Sequence, residues 1–226
     1  MTVWARISDL AQDIGGSVGQ LLGMYSGKSS APEKSVAFTI GMIALGAKMA
    51  KADGFVTEDE IAAFRQVFHV PEKDMAGVGR VFNLAKQDVA GFESYALQVA
   101  KLFSRKALVL ENVLDGLFHI AKADGVLHEN EISFLERVAE LFGFSAGDFS
   151  RICARHVAIA DDPYDILELE RGASLVDIKK KYKMLVRALH PDKQIAAGVP
   201  AEMVKLATER MARINAAYGE LMKEAA

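Results

Sequence analysis

A chain of 226 residues with a single cysteine, Cys153, forms no internal disulfide, and that scarcity fits a reducing compartment. An excess of basic charge is missing too. The 27 Lys and Arg stand against 30 Asp and Glu, for a formal net charge of −3, so no whole-molecule field draws nucleic acid, and nucleic-acid binding is disfavoured. There is no run of about 18 or more apolar residues, so no membrane span is expected. The basic start and continuous apolar core of a cleavable signal are absent as well. Nothing resembles a set of strands. Cys153 and His156 stand three residues apart, but no acid to orient the histidine and no oxyanion site are recognisable. Cys153 reads as a packing residue in an apolar helical stretch, and neither enzymatic activity nor a cofactor is expected.

What is present, 51% hydrophobic and 25% charged residues, is the composition of a soluble globular protein with room for one medium domain and a small one. An internal repeat organises the larger part. Lys51-Ala52-Asp53-Gly54, running on to Glu60 and Ile61, recurs as Lys122-Ala123-Asp124-Gly125, running on to Glu131 and Ile132, at an offset of 71 residues from Asp53 to Asp124. Each copy reads as a helix, an Asp-Gly turn and a new helix start, with Thr57 and Glu60 placed as a capping box in the first. Apolar positions correspond across the copies, Ile43 with Leu114, Phe64 with Leu135 and Val67 with Val138. Further helices are expected over 75–86 and 92–104, and Ser145 with Asp148 caps a last one.

The C-terminal quarter has a different pattern. Asp162-Pro163 opens a short helical turn, and Ser174, three residues before Asp177, caps a helix that runs to about Leu189. Ile178, Tyr182, Leu185 and Leu189 recur at three- and four-residue steps and predict a buried face, while Lys179, Lys180, Lys181, Lys183 and Arg187 supply a basic one. His190-Pro191-Asp192 follows, then an expected loop over 193–199. Pro200 opens a second helix with an apolar stripe of Val204, Ala207, Met211, Ile214, Tyr218 and Leu221. The two helices predict an antiparallel hairpin.

On these motifs residues 162–226 resemble a J-domain, the module by which DnaJ-type proteins engage DnaK-type chaperones. The resemblance implies that His190, Pro191 and Asp192 are needed to stimulate the partner's ATPase. It also implies that Lys179, Lys180, Tyr182, Lys183, Arg187 and Lys193 belong to the surface that docks on an acidic face of the partner. Met211 and Met184 depart from the family's usual phenylalanine and arginine. Met fills a similar core volume, so the fold stands. The two Lys-Ala-Asp-Gly turns make residues 32–158 resemble the TerB-like, tellurite-resistance-associated helical domain, which precedes a J-domain in DjlA-type bacterial co-chaperones.

The Asp-Gly runs also reproduce the second half of an EF-hand loop. The first half is wrong, because Met49 and Lys51, and Ile120 and Lys122, occupy the first and third ligand positions. Turn and cap roles explain the same residues. A shared acidic metal site of Asp53, Glu60, Asp124 and Glu131 is the weaker candidate that the TerB resemblance implies.

The N-terminal stretch, with Trp4, Ile7, Ile14, Val18 and Leu21 on one face, is expected to lie on the helical domain in preference to a membrane surface. This departs from the membrane anchor of the DjlA pattern. Residues 27–32 read as a linker. The expected architecture is all-α: residues 1–31 an amphipathic segment and linker, 32–158 a duplicated TerB-like bundle, and 162–226 a J-domain. The expected function is co-chaperone action on a DnaK-type partner in the cytoplasm, with peripheral contact at the inner membrane and self-association left open. The alternative is a metal- or ligand-sensing stress-response module with the J-like region as its effector arm.

Overall fold

The computed structural model describes residues 3–13, 18–25, 31–52, 70–87, 91–103, 107–157, 162–196, 199 and 201–224. Among these residues the regular structure is helical and no strand occurs. The first Asp-Gly turn, with Asp53, Thr57 and Glu60, lies outside them, as do Ile14 and residues 27–30 of the linker expected over 27–32. Ala31 and Pro32, the end of that linker, are instead the first residues of a helix, where proline is readily accepted.

One long helix, α3 (Ala31–Ala52), forms the centre, and Val36 to Ala47 along it are all buried. A helix apolar all round its circumference has to be enclosed on every side. The enclosure comes from α1 (Val3–Asp13), α2 (Val18–Tyr25), α4 (Met75–Gln87), α5 (Phe92–Leu102), α6 (Ala107–Ala121) and α7 (Glu129–Phe142). Phe38 of α3 meets Phe103 edge-on at 5.2 Å. Gly41 lets α5 come close, since a Cβ there would lie 2.5 Å from Val99 Cγ2. Trp4, Ile7, Val18 and Leu22 enter the same core, so the N-terminal segment lies on the helical domain as its amphipathic pattern suggests.

The second copy of the repeat has the expected local geometry. Gly125 sits at φ +88°, the left-handed region that the turn after α6 requires. Asp124 Oδ1 accepts the Val126 amide at 2.9 Å, and Glu131 Oε2 reaches back to accept the His128 amide at 2.9 Å at the start of α7. Helix α7 ends at Gly143, φ +89°, and α8 (Ala146–Val157) begins under the Ser145–Asp148 cap.

The C-terminal part has its own small core of Leu167, Ile178, Leu185, Leu189, Ile214, Ala217 and Leu221. It is built from α9 (Pro163–Ile166), α10 (Leu175–Leu189), α11 (Pro191–Ala196) and α12 (Ala201–Glu224). The loop expected over 193–199 is corrected here, because residues up to Ala196 are helical. The reason is local: proline presets the backbone dihedral of a first helical residue, and the His190 carbonyl accepts the amides of Lys193 and Gln194 at 3.0 and 3.2 Å. Val199 and Val204, by contrast, pack into the larger core, so the beginning of α12 joins the small unit to the large one.

Candidate functional site

Helix α10 holds the basic face. Ser174 Oγ accepts the Asp177 amide at 3.2 Å and donates to Asp177 Oδ2 at 2.6 Å, which satisfies the helix start. Ile178, Leu185 and Leu189 are buried, and the apolar period that places them there leaves Lys179, Lys180, Lys183 and Arg187 in solvent. Tyr182 is half-buried. Its ring stacks on Tyr218 of α12 at 3.9 Å and 9°, and its hydroxyl donates to Asn215 Oδ1 at 3.1 Å, clamping the two helices together.

The tripeptide sits at the corner between α10 and α11. His190 Nδ1 accepts the Asp192 amide at 3.2 Å. His190, Asp192 and Lys193 are exposed and Pro191 is half-buried. Gln194, which the sequence pattern did not single out, holds this corner: it is buried, and its Nε2 donates to the Ala188 carbonyl at 3.1 Å, tying α11 back to the end of α10. A glutamine in an otherwise apolar stretch gave no motif by which to find it.

The acidic positions of the repeat are engaged with backbone where they are described. Asp124 is held below the ordinary carboxylate range chiefly by the Val126 amide, and Glu131 is buried over the start of α7. Asp53 and Glu60 lie outside the described residues. No group of three or more His, Cys, Asp or Glu that would hold a metal occurs among the residues described. His156 does have an orienting acid, contrary to the sequence reading: its Nε2 lies 2.8 Å from Asp115 Oδ1, on a residue 41 positions away, and its ring stacks on Phe118 at 4.6 Å. Cys153 is not activated by it. The thiol packs on the large core, and burial pushes its pKa up, away from a thiolate nucleophile.

A cluster of charges fills the seam between the large and small units. Arg155 Nη1 lies 2.7 Å from both Glu111 Oε1 and Glu168 Oε1; Arg210 reaches Asp115 Oδ2 and Glu111 Oε1, each at 3.0 Å. Beside it is a cavity of about 580 Å³ lined in part by Asn112, Asp115, His119, Glu209 and Arg213. Burial opposes ionisation of Asp115, yet the His156 hydrogen bond and the charges of Arg210 and Arg155 outweigh it and hold this carboxyl far below the ordinary range.

Comparison with known proteins matches residues 39–155 to the family described as "Tellurite resistance protein TerB" and residues 162–226 to the "DnaJ domain". Curated relatives include proteins named "Co-chaperone protein DjlA". That of Photobacterium profundum is 27% identical over 231 residues, covering 89% of this chain and 83% of the relative. That of Coxiella burnetii is 30% identical over 198 residues, covering 77% and 73%. That of Aliivibrio fischeri is 31% identical over 135 residues, covering 46% and 48%. No solved structure matches the chain. No described helix is long and apolar enough to cross a membrane.

Proposed function

We propose, from the premise that this chain belongs to the DjlA co-chaperone family, that its DnaJ domain docks on a DnaK-type chaperone and stimulates ATP hydrolysis there. The observation that carries the reading is the exposed corner at His190-Pro191-Asp192, next to a helix whose Lys179, Lys180, Lys183 and Arg187 all face solvent. A row of cations on one rigid face steers and orients an acidic partner surface. The corner itself performs no chemistry. It acts by binding the hydrolysis-competent conformation of the partner better than its alternative, which shifts that equilibrium. The TerB domain then serves to localise the activity or choose its client.

The test is single-turnover ATP hydrolysis by a DnaK-type chaperone with the full chain and with His190→Gln. The wild type is expected to accelerate hydrolysis and the variant to leave the basal rate. Its unfolding free energy should fall by no more than about 1 kcal/mol, because His190 is exposed and its ring holds the Asp192 amide at the start of α11. Equal stimulation by the two proteins would remove the tripeptide from the mechanism.

A further inference from the structure

Glu168 stands in the turn after α9 with φ +55°, the only non-glycine residue among those described with a positive φ. A left-handed backbone at a glutamate persists where surrounding contacts over-determine it. Those contacts come from three helices. Glu168 Oε2 takes Lys181 of α10 at 2.9 Å; Oε1 takes Arg151 and Arg155 of α8 at 2.8 and 2.7 Å, and Arg210 of α12 at 3.1 Å. Its side chain is 6% exposed.

The four cations divide between the two domains. Lys181 and Arg210 belong to the DnaJ domain, while Arg151 and Arg155 belong to the TerB domain. Arg210 crosses the seam in the other direction, to Glu111 and Asp115 of α6. Buried charges of this kind are poorly compensated when one partner leaves, so the cluster favours a single arrangement of the two domains. Lys181 connects the cluster to the docking helix, whose neighbouring residues Lys179, Lys180 and Lys183 stay in solvent.

We infer that Glu168 is a positioning residue: it locks the DnaJ domain to the TerB domain and sets the direction in which the basic face of α10 is presented. The functional meaning of that direction rests on the docking reading above, but the lock itself does not. The two domains move as one body, and whatever the TerB domain holds is presented at a fixed geometry to the chaperone that α10 engages.

The test measures the distance between spin labels at Glu136→Cys on α7 and Val176→Cys on α10, both exposed positions, in the full chain carrying Cys153→Ala. Without further change the distance distribution is expected to be narrow. Glu168→Asn keeps the left-handed backbone, since Asn tolerates it best among non-glycine residues, and removes the carboxylate. The lock predicts that this variant at least doubles the width of the distribution. An unchanged width overturns the inference, because a residue needed only for its turn would be replaced by Asn without effect. Arg210→Met, which removes the crossing to α6 from the surface of a helix, provides the same reading if Glu168→Asn does not fold. ATP hydrolysis has no part in this measurement, so the lock and the co-chaperone reading fail separately.

Discussion

At Gly77 a Cβ would lie 2.7 Å from the Ser8 Cα, a backbone atom that cannot swing aside. Gly79, one turn-half along the same helix, would meet nothing within 4 Å. Both are glycines inside α4, where alanine is favoured by about 1 kcal/mol if space allows. Gly79→Ala should therefore stabilise the protein by up to about 1 kcal/mol. Gly77→Ala should destabilise it by about 1–3 kcal/mol, because it pushes α1 away from α4. Urea unfolding of the two variants, judged against wild type, checks this opposition of sign. Equal shifts would mean that α1 does not pack on α4 as closely as described.

For single elements, α10 shows how one helix separates two roles among its lysines. Lys179, Lys180 and Lys183 are in solvent, while Lys181 is paired with Glu168. Replacing any of the first three by Gln should slow association with the chaperone by roughly two- to ten-fold and flatten its salt dependence, as for charges that steer an encounter. Lys181→Gln should do neither and should instead lower stability by about 1.5–3 kcal/mol, the worth of a hydrogen bond to a charged group. Stopped-flow binding at two ionic strengths, paired with urea unfolding, separates the two classes. A Lys181→Gln protein that binds slowly but unfolds normally would contradict the assignment. The helix and its cap were legible from the three- and four-residue period of Ile178, Tyr182, Leu185 and Leu189 and from the Ser174–Asp177 spacing, because those signals are local. Helix α11 was not. Pro191 can stop one helix or start another, and what decides for the start is the burial of Gln194 against the end of α10, a contact with no signature in the sequence.

Across the whole molecule, the all-helical architecture and the exposed His190 corner could be read in advance, because turns, caps and apolar stripes depend on near neighbours. The seam could not. Arg210 meets Glu111 and Asp115 from 99 and 95 residues away, and charged residues at such separations read as ordinary solvated faces until folding brings them together. Once assembled they make stability depend on pH. For both Asp115 and Glu168, burial works against ionisation but is outweighed, at Asp115 by the His156 hydrogen bond and the arginines, and at Glu168 by Lys181, Arg151 and Arg155. Both carboxyls are thereby held below their ordinary values of 3.8 and 4.5. A carboxyl depressed in the folded state leaves the unfolded chain to take up protons first as pH falls. Its contribution to stability is complete above the ordinary value, begins to be lost as pH drops through it and is gone only once pH has fallen through the depressed folded-state value. The stability advantage of wild type over Glu168→Asn should thus be largest near about pH 7, begin to shrink below about pH 5 and go on shrinking as pH falls toward the depressed folded-state value. Urea unfolding of both proteins along that series measures it, and an advantage that stays constant with pH would mean that Glu168 is not held as an ion in the seam.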